Sequence, residues 1–139
     1  MVRFTSKMVL NYKLALVLSG CSNALGLEDG RVQNSQFSSY TYATSWDPFR
    51  ARLNKVGAWC SKANDVNHEF LQIDLRNVQH ISRIATQGVS GSYWRSYYVE
   101  TFVIEYSYDG TTWFTYKGSD ASIQVSSIFS LNYSFDKRF

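Results

Sequence analysis

The sequence predicts an all-β protein, a sandwich or barrel of short strands. Three observations predict it. Aromatic residues make up 17% of the 139 residues, with 10 Tyr, 9 Phe and 4 Trp beside a single proline, Pro48, and Ser and Thr are plentiful. Rings and β-branched side chains suit a pleated, half-buried surface. Apolar residues recur with period two, and no segment keeps a helical period over a useful length. Turn pairs divide these segments at short intervals, as in all-β domains.

The elements follow in chain order. Arg3, Lys7 and Lys13 precede the apolar run LALVLSG, residues 14–20. That pattern is signal-like, so residues 1–20 are expected to be a leader or an unstructured segment. The run is far too short to span a bilayer. ALGLEDGRV, residues 24–32, is turn-rich, with a tight-turn pair at Asp29-Gly30. Residues 33–49 read as loop with one short strand. FLQIDL, residues 70–75, places Leu71, Ile73 and Leu75 on one face and Phe70, Gln72 and Asp74 on the other. HISRIATQG, residues 80–88, is a second strand closed by a glycine. In residues 99–118, Phe102, Ile104 and Tyr106 alternate with Thr101, Val103 and Glu105. Asp109-Gly110 then turns the chain into Trp113–Tyr116, a hairpin. The chain reads as one domain without internal repeats.

Charge and motifs exclude several classes. The net charge of +3 is mild, and no Lys/Arg run or RNA-binding aromatic motif accompanies it, so nucleic acid is not an expected partner. There is no phosphate-binding glycine loop, dinucleotide fingerprint or nucleophile elbow. His68 and His80 have no metal-ligand spacing, and Cys60 lacks the setting of a nucleophile. Cys21 and Cys60 are the only cysteines, and their spacing does not say whether they meet. No catalytic residue and no metal ligand is expected.

Several segments stand in an order that resembles a known family. They are CSNALGLEDGRVQNSQFSSY, ATSWDPFRARLNKVGAWCSKANDVNHEFLQIDL, ISRIATQG and YVETFVIEYSYDGTTW. Together they resemble the discoidin family, also called the coagulation factor 5/8 type C domain, from Cys21 to about Lys117. The resemblance implies a discoidin-like β-sandwich of jelly-roll type without a catalytic centre. It implies an extracellular or cell-surface module for recognition or adhesion, whose loops project as spikes from one end. The partner it implies is an anionic phospholipid membrane or a cell-surface glycan. The alternative is a protein-interaction domain for a receptor or matrix protein, belonging to a larger surface protein. No cofactor is implied. Some distant carbohydrate-binding relatives hold a structural calcium ion, but Asp29 and Asp47 do not form a convincing site for one.

On this resemblance, SSYTYATSW (residues 38–46), GAWCSKANDVN (57–67) and GVSGSYWRSYY (88–98) are the spikes. The expected ligand contacts are Tyr93, Trp94 and Arg95 at one tip, Tyr40 and Tyr42 at another, and Lys62. An aromatic ring with a polar edge suits a membrane headgroup layer, and a neighbouring cation suits its phosphate. Trp46, Trp59 and Trp113 fall at framework positions and are expected in the core. Arg52 and Asp74 are expected to form an internal ion pair. Lys55 is a surface lysine that could add anion attraction, although surface lysines usually do nothing specific.

The tail departs from the family pattern. SDASIQVSSIFSLNYSFDKRF does not align, so residues 118–139 are expected to omit or replace the last strands. IQVSSIFSL, residues 123–131, is a candidate replacement strand. The family's closing cysteine, the usual partner of Cys21, is missing, which leaves Cys21 unpaired or tied to Cys60. Loss of such a staple costs about 2–5 kcal/mol, against a total stability of about 5–15 kcal/mol. A marginal domain or a fragment of a larger one is therefore expected. Asn132-Tyr133-Ser134 is a glycosylation sequon, usable only on a secreted chain.

Overall fold

The computed structural model describes residues 1–6, 19–20, 23–62, 69–81, 83–90, 96–97, 102–117 and 135–138. Cys21, His68, Tyr93, Trp94, Arg95, residues 123–131 and the sequon at Asn132 lie outside them. The described strands are β1 (Val2–Ser6), β2 (Ser19–Gly20), β3 (Asn23–Ala24), β4 (Phe37–Ser39), β5 (Phe70–Ile73) and β6 (Arg83–Thr86). They continue with β7 (Val89–Ser90), β8 (Ser96–Tyr97), β9 (Phe102–Tyr106), β10 (Phe114–Thr115) and β11 (Phe135–Arg138). Two 3₁₀ turns, Asn34–Gln36 and Pro48–Arg50, are the described helical pieces. The fold is all-β, as the sequence predicts.

The main sheet has five strands in the order β10-β9-β1-β5-β4, with every pair antiparallel. Its register sets the inner face. Phe114, Tyr106, Val2, Ile73 and Phe37 form one cross-strand row; Ile104, Phe4 and Leu71 form part of the next. Leu71 and Ile73 are fully buried, which bears out the alternation read in FLQIDL. Leu27, Val32, Ala51, Trp59 and Ile84 join Val2, Phe4, Phe37, Leu71, Ile73 and Phe102 in one core cluster. Ile84 belongs to β6, which pairs with β11 in a second sheet. The chain is thus a sandwich around a single core, the arrangement that buries the apolar face of a sheet.

Val2–Ser6 departs from expectation. The sequence groups it with a signal-like or unstructured segment over residues 1–20, yet it is the central strand, between β5 and β9. Val2 and Phe4 point into the core, and Arg3 and Thr5 lie on the outer face. That period-two pattern is only five residues long and is masked in the sequence by the stronger apolar run after it.

Two other expectations are corrected. Trp59 is buried, at 2% exposure, and Trp46 is half-buried. Trp113 is not in the core: it lies against the outer face, where the Arg3 guanidinium sits 3.9 Å from its ring centre. Nor does Arg52 pair with Asp74. Arg52 donates to the carbonyls of Leu27 and Val32 and to Asn34 Oδ1, and its guanidinium covers the Phe37 ring at 4.6 Å. Asp74 Oδ1 instead accepts the Arg76 N–H at 2.8 Å. Backbone carbonyls gathered around one guanidinium satisfy its fork without a second buried charge.

Candidate functional site

The Asp109 turn, read from sequence as a hairpin, is confirmed. Asp109 Oδ1 accepts the N–H groups of Thr111 and Thr112, each at 2.8 Å, and the Ser107 hydroxyl at 3.0 Å. Those donors hold its carboxyl well below the usual carboxylate range, the Thr112 N–H being the largest cause. The turn serves to shape the chain between β9 and β10.

The candidate ligand-binding residues gather at the opposite end of β5. There the chain from Ser39 to Trp46 is stitched to residues 59–62. Ala43 N–H donates to Cys60 O at 2.8 Å, and Cys60 N–H donates to Trp46 O at 3.4 Å. Thr41 is the pivot. Its Oγ1 donates to Glu69 Oε1 at 2.6 Å and accepts the Lys62 N–H at 3.0 Å. Its carbonyl accepts the Trp59 indole N–H at 3.3 Å and the Ser39 hydroxyl at 2.8 Å. With Thr41 turned inward, its neighbours turn outward. Tyr40 is 59% exposed and Tyr42 48% exposed. Tyr40 also leans on Phe70, with ring centres 6.2 Å apart, and its N–H donates to Phe70 O at 3.3 Å. Lys62 is exposed beside them.

Of the six expected contact residues, the structure brings Tyr40, Tyr42 and Lys62 to one place. Tyr93, Trp94 and Arg95 lie outside the described residues. Sequence reasoning did not single out Thr41 and Glu69. The Tyr40-Thr41-Tyr42 alternation is the signal that points to Thr41, whereas nothing local marks Glu69. Glu69 is 1% exposed, and its Oε2 has no hydrogen-bond partner among the described residues.

A calcium site fits poorly on the acidic residues considered for it. The backbone N–H and guanidinium of Arg31 bind Asp29, at 3.1 and 2.9 Å, and lower its pKa. Arg50 Nε sits 3.4 Å from Asp47 Oδ2. Among the described residues, no three His, Cys, Asp or Glu side chains gather to hold a metal ion. His80 is exposed.

An antiparallel sandwich with Tyr40, Tyr42 and Lys62 exposed on stitched loops at one pole defines the class: a β-sandwich domain with projecting loops. The chain belongs to the F5/8 type C, or discoidin, family, whose model matches residues 33–135. The match extends past Lys117, where the resemblance of the sequence fades. Coagulation factor V of Bos taurus is 40% identical over 123 residues, covering 83% of this chain and 5% of that protein. The venom prothrombin activator omicarin-C non-catalytic subunit of Oxyuranus microlepidotus is 39% identical over 130 residues, covering 88% of this chain and 9% of that protein. Lactadherin of Bos taurus is 36% identical over 119 residues, covering 78% of this chain and 27% of that protein. The chain therefore spans a small part of each of these relatives.

Proposed function

We propose that this chain is a non-catalytic, extracellular recognition module that binds membranes carrying anionic phospholipid through its loop pole. The observation that carries the reading is the exposure of Tyr40 and Tyr42 on either side of a pinned Thr41. Rings held in this way enter a headgroup layer with little ordering cost, and their hydroxyls stay in the wet zone. Relatives that are a coagulation factor and a non-catalytic venom subunit support the extracellular setting and the absence of turnover.

Magnitudes bound what this loop can do alone. Burying the exposed half of each tyrosine yields about 2–3 kcal/mol, and a lysine at an anionic surface adds about 1 kcal/mol. The sum is of the order of the cost of association, so Tyr40, Tyr42 and Lys62 alone give weak binding. The proposal therefore retains Tyr93, Trp94 and Arg95, which the family resemblance assigns to another spike, as further contacts.

The test is cosedimentation with vesicles of phosphatidylserine in phosphatidylcholine, against phosphatidylcholine alone. Binding is expected only with the anionic vesicles, and Tyr40→Ser/Tyr42→Ser is expected to weaken it roughly tenfold or more. Equal binding to both vesicles, or an unaffected variant, would sink the proposal. Capture by immobilised glycans without vesicle binding would move the pole to sugar recognition.

A further inference from the structure

At the end of β5 away from Thr41, a cavity of about 640 Å³ opens beside Met1, the 74–81 segment and the Asp109 turn. Its size is that of ligand sites. Its lining includes six aliphatic side chains: Val2, Leu75, Val78, Ile81, Ile84 and Ile104. Tyr106, Tyr108 and Tyr116 line it as well. Tyr108 is 71% exposed, and its ring meets Tyr106 edge-on with centres 5.9 Å apart. Large apolar surface left open in this way marks a place that something covers.

The charges around the cavity are unequal in their commitments. Asp74 Oδ1 is occupied by the Arg76 N–H, and Asp109 Oδ1 by its own turn. The Arg76 side chain, by contrast, has no hydrogen-bond or ion-pair partner among the described residues. Arg76 is held at φ 65°, a left-handed conformation that is uncommon for a residue with a side chain. An arginine that tolerates this backbone beside an aliphatic cavity, with its fork uncommitted, is placed to receive an anion. The aliphatic lining disfavours a saccharide, whose hydroxyls it would leave unpaired.

We propose that this cavity binds single-chain amphiphiles with an anionic head, the chain lying along Val2, Leu75, Ile81, Ile84 and Ile104 and the head meeting Arg76. The site is separate from the Tyr40–Lys62 pole, since the two leave β5 from opposite ends. It does not depend on the membrane reading.

The test uses cis-parinarate, a fluorescent fatty acid, on the full chain, followed by displacement with laurate and with dodecanol. Parinarate emission is expected to rise, and laurate to displace it roughly tenfold better than dodecanol. Arg76→Gly is expected to erase the difference between laurate and dodecanol without lowering the melting temperature, because glycine accepts the positive φ. Ile81→Trp, which fills the cavity, is expected to remove the emission rise. Circular dichroism establishes that each variant is folded. Tyr40→Ser/Tyr42→Ser is expected to bind parinarate normally. No emission rise with the parent chain, a rise that survives Ile81→Trp, or one lost in the tyrosine double variant overturns the proposal. A laurate preference that persists in Arg76→Gly overturns the role of Arg76.

Discussion

Thr41 Oγ1 donates to the buried carboxylate of Glu69 across 2.6 Å. This bond ties the tyrosine-bearing loop to the residue just before β5, and among the described residues Glu69 Oε2 has no donor. Removing the hydroxyl leaves a buried carboxyl oxygen without its donor. Thr41→Val is therefore expected to destabilise the fold by about 1–3 kcal/mol. In a double-mutant cycle with Glu69→Leu, the pair is expected to cost less than the sum of the singles, because no buried polar partner is left stranded. Urea unfolding measures both; strict additivity would show that the two residues are not coupled.

Arg3 is sandwiched on the outer face of the sheet. Its guanidinium lies 4.0 Å from the Phe70 ring centre and 3.9 Å from that of Trp113, and its Nη2 donates to Gln72 Oε1 at 2.9 Å. Burial lowers its pKa, with Glu105 opposing the shift. Arg3→Ala is expected to cost about 1–3 kcal/mol from two ring contacts and a charge-assisted bond. It should also shift the emission of Trp113, which the substitution exposes. An unchanged spectrum would mean that the stack does not form in solution.

Asp109 supplies an acid-sensitive contribution. Its folded pKa lies below the ordinary carboxylate value of about 3.9. Its contribution is therefore complete above that value and is lost as pH falls through the folded pKa. Melting temperatures taken from pH 6 down to pH 2 should decline below about pH 4. Asp109→Asn should flatten that acid limb. If parent and variant decline in parallel, the turn is not the source.

Lys62 tests the electrostatic half of the membrane proposal. Its backbone is fixed by Thr41 Oγ1 while its side chain faces solvent. Lys62→Gln is expected to reduce binding to phosphatidylserine vesicles about fivefold at low salt, and by less at about 0.5 M salt. Circular dichroism should be unchanged. Equal losses at both salt concentrations would point to a packing role instead.

The sequence by itself determined the elements whose signals are local. Leu71 and Ile73 in FLQIDL, the Phe102-Ile104-Tyr106 face and the Asp109-Gly110 turn all follow from period two and turn chemistry. Tyr40, Tyr42 and Lys62 were legible as a group because the family resemblance put their loops at one end. Tertiary structure decided the rest, because those outcomes depend on partners far away in the chain. Val2–Ser6 becomes a central strand only because β5 and β9 supply ladders on both sides. Trp113 leaves the core because Arg3, over a hundred residues earlier, offers its ring a flat cation. Arg52 prefers the carbonyls of Leu27 and Val32 to Asp74 because the chain brings two acceptors to its fork. Thr41 and Glu69, 28 positions apart, meet where β4 runs beside β5. Periodicity records which way a side chain points, and only the pairing of distant strands decides what it meets there.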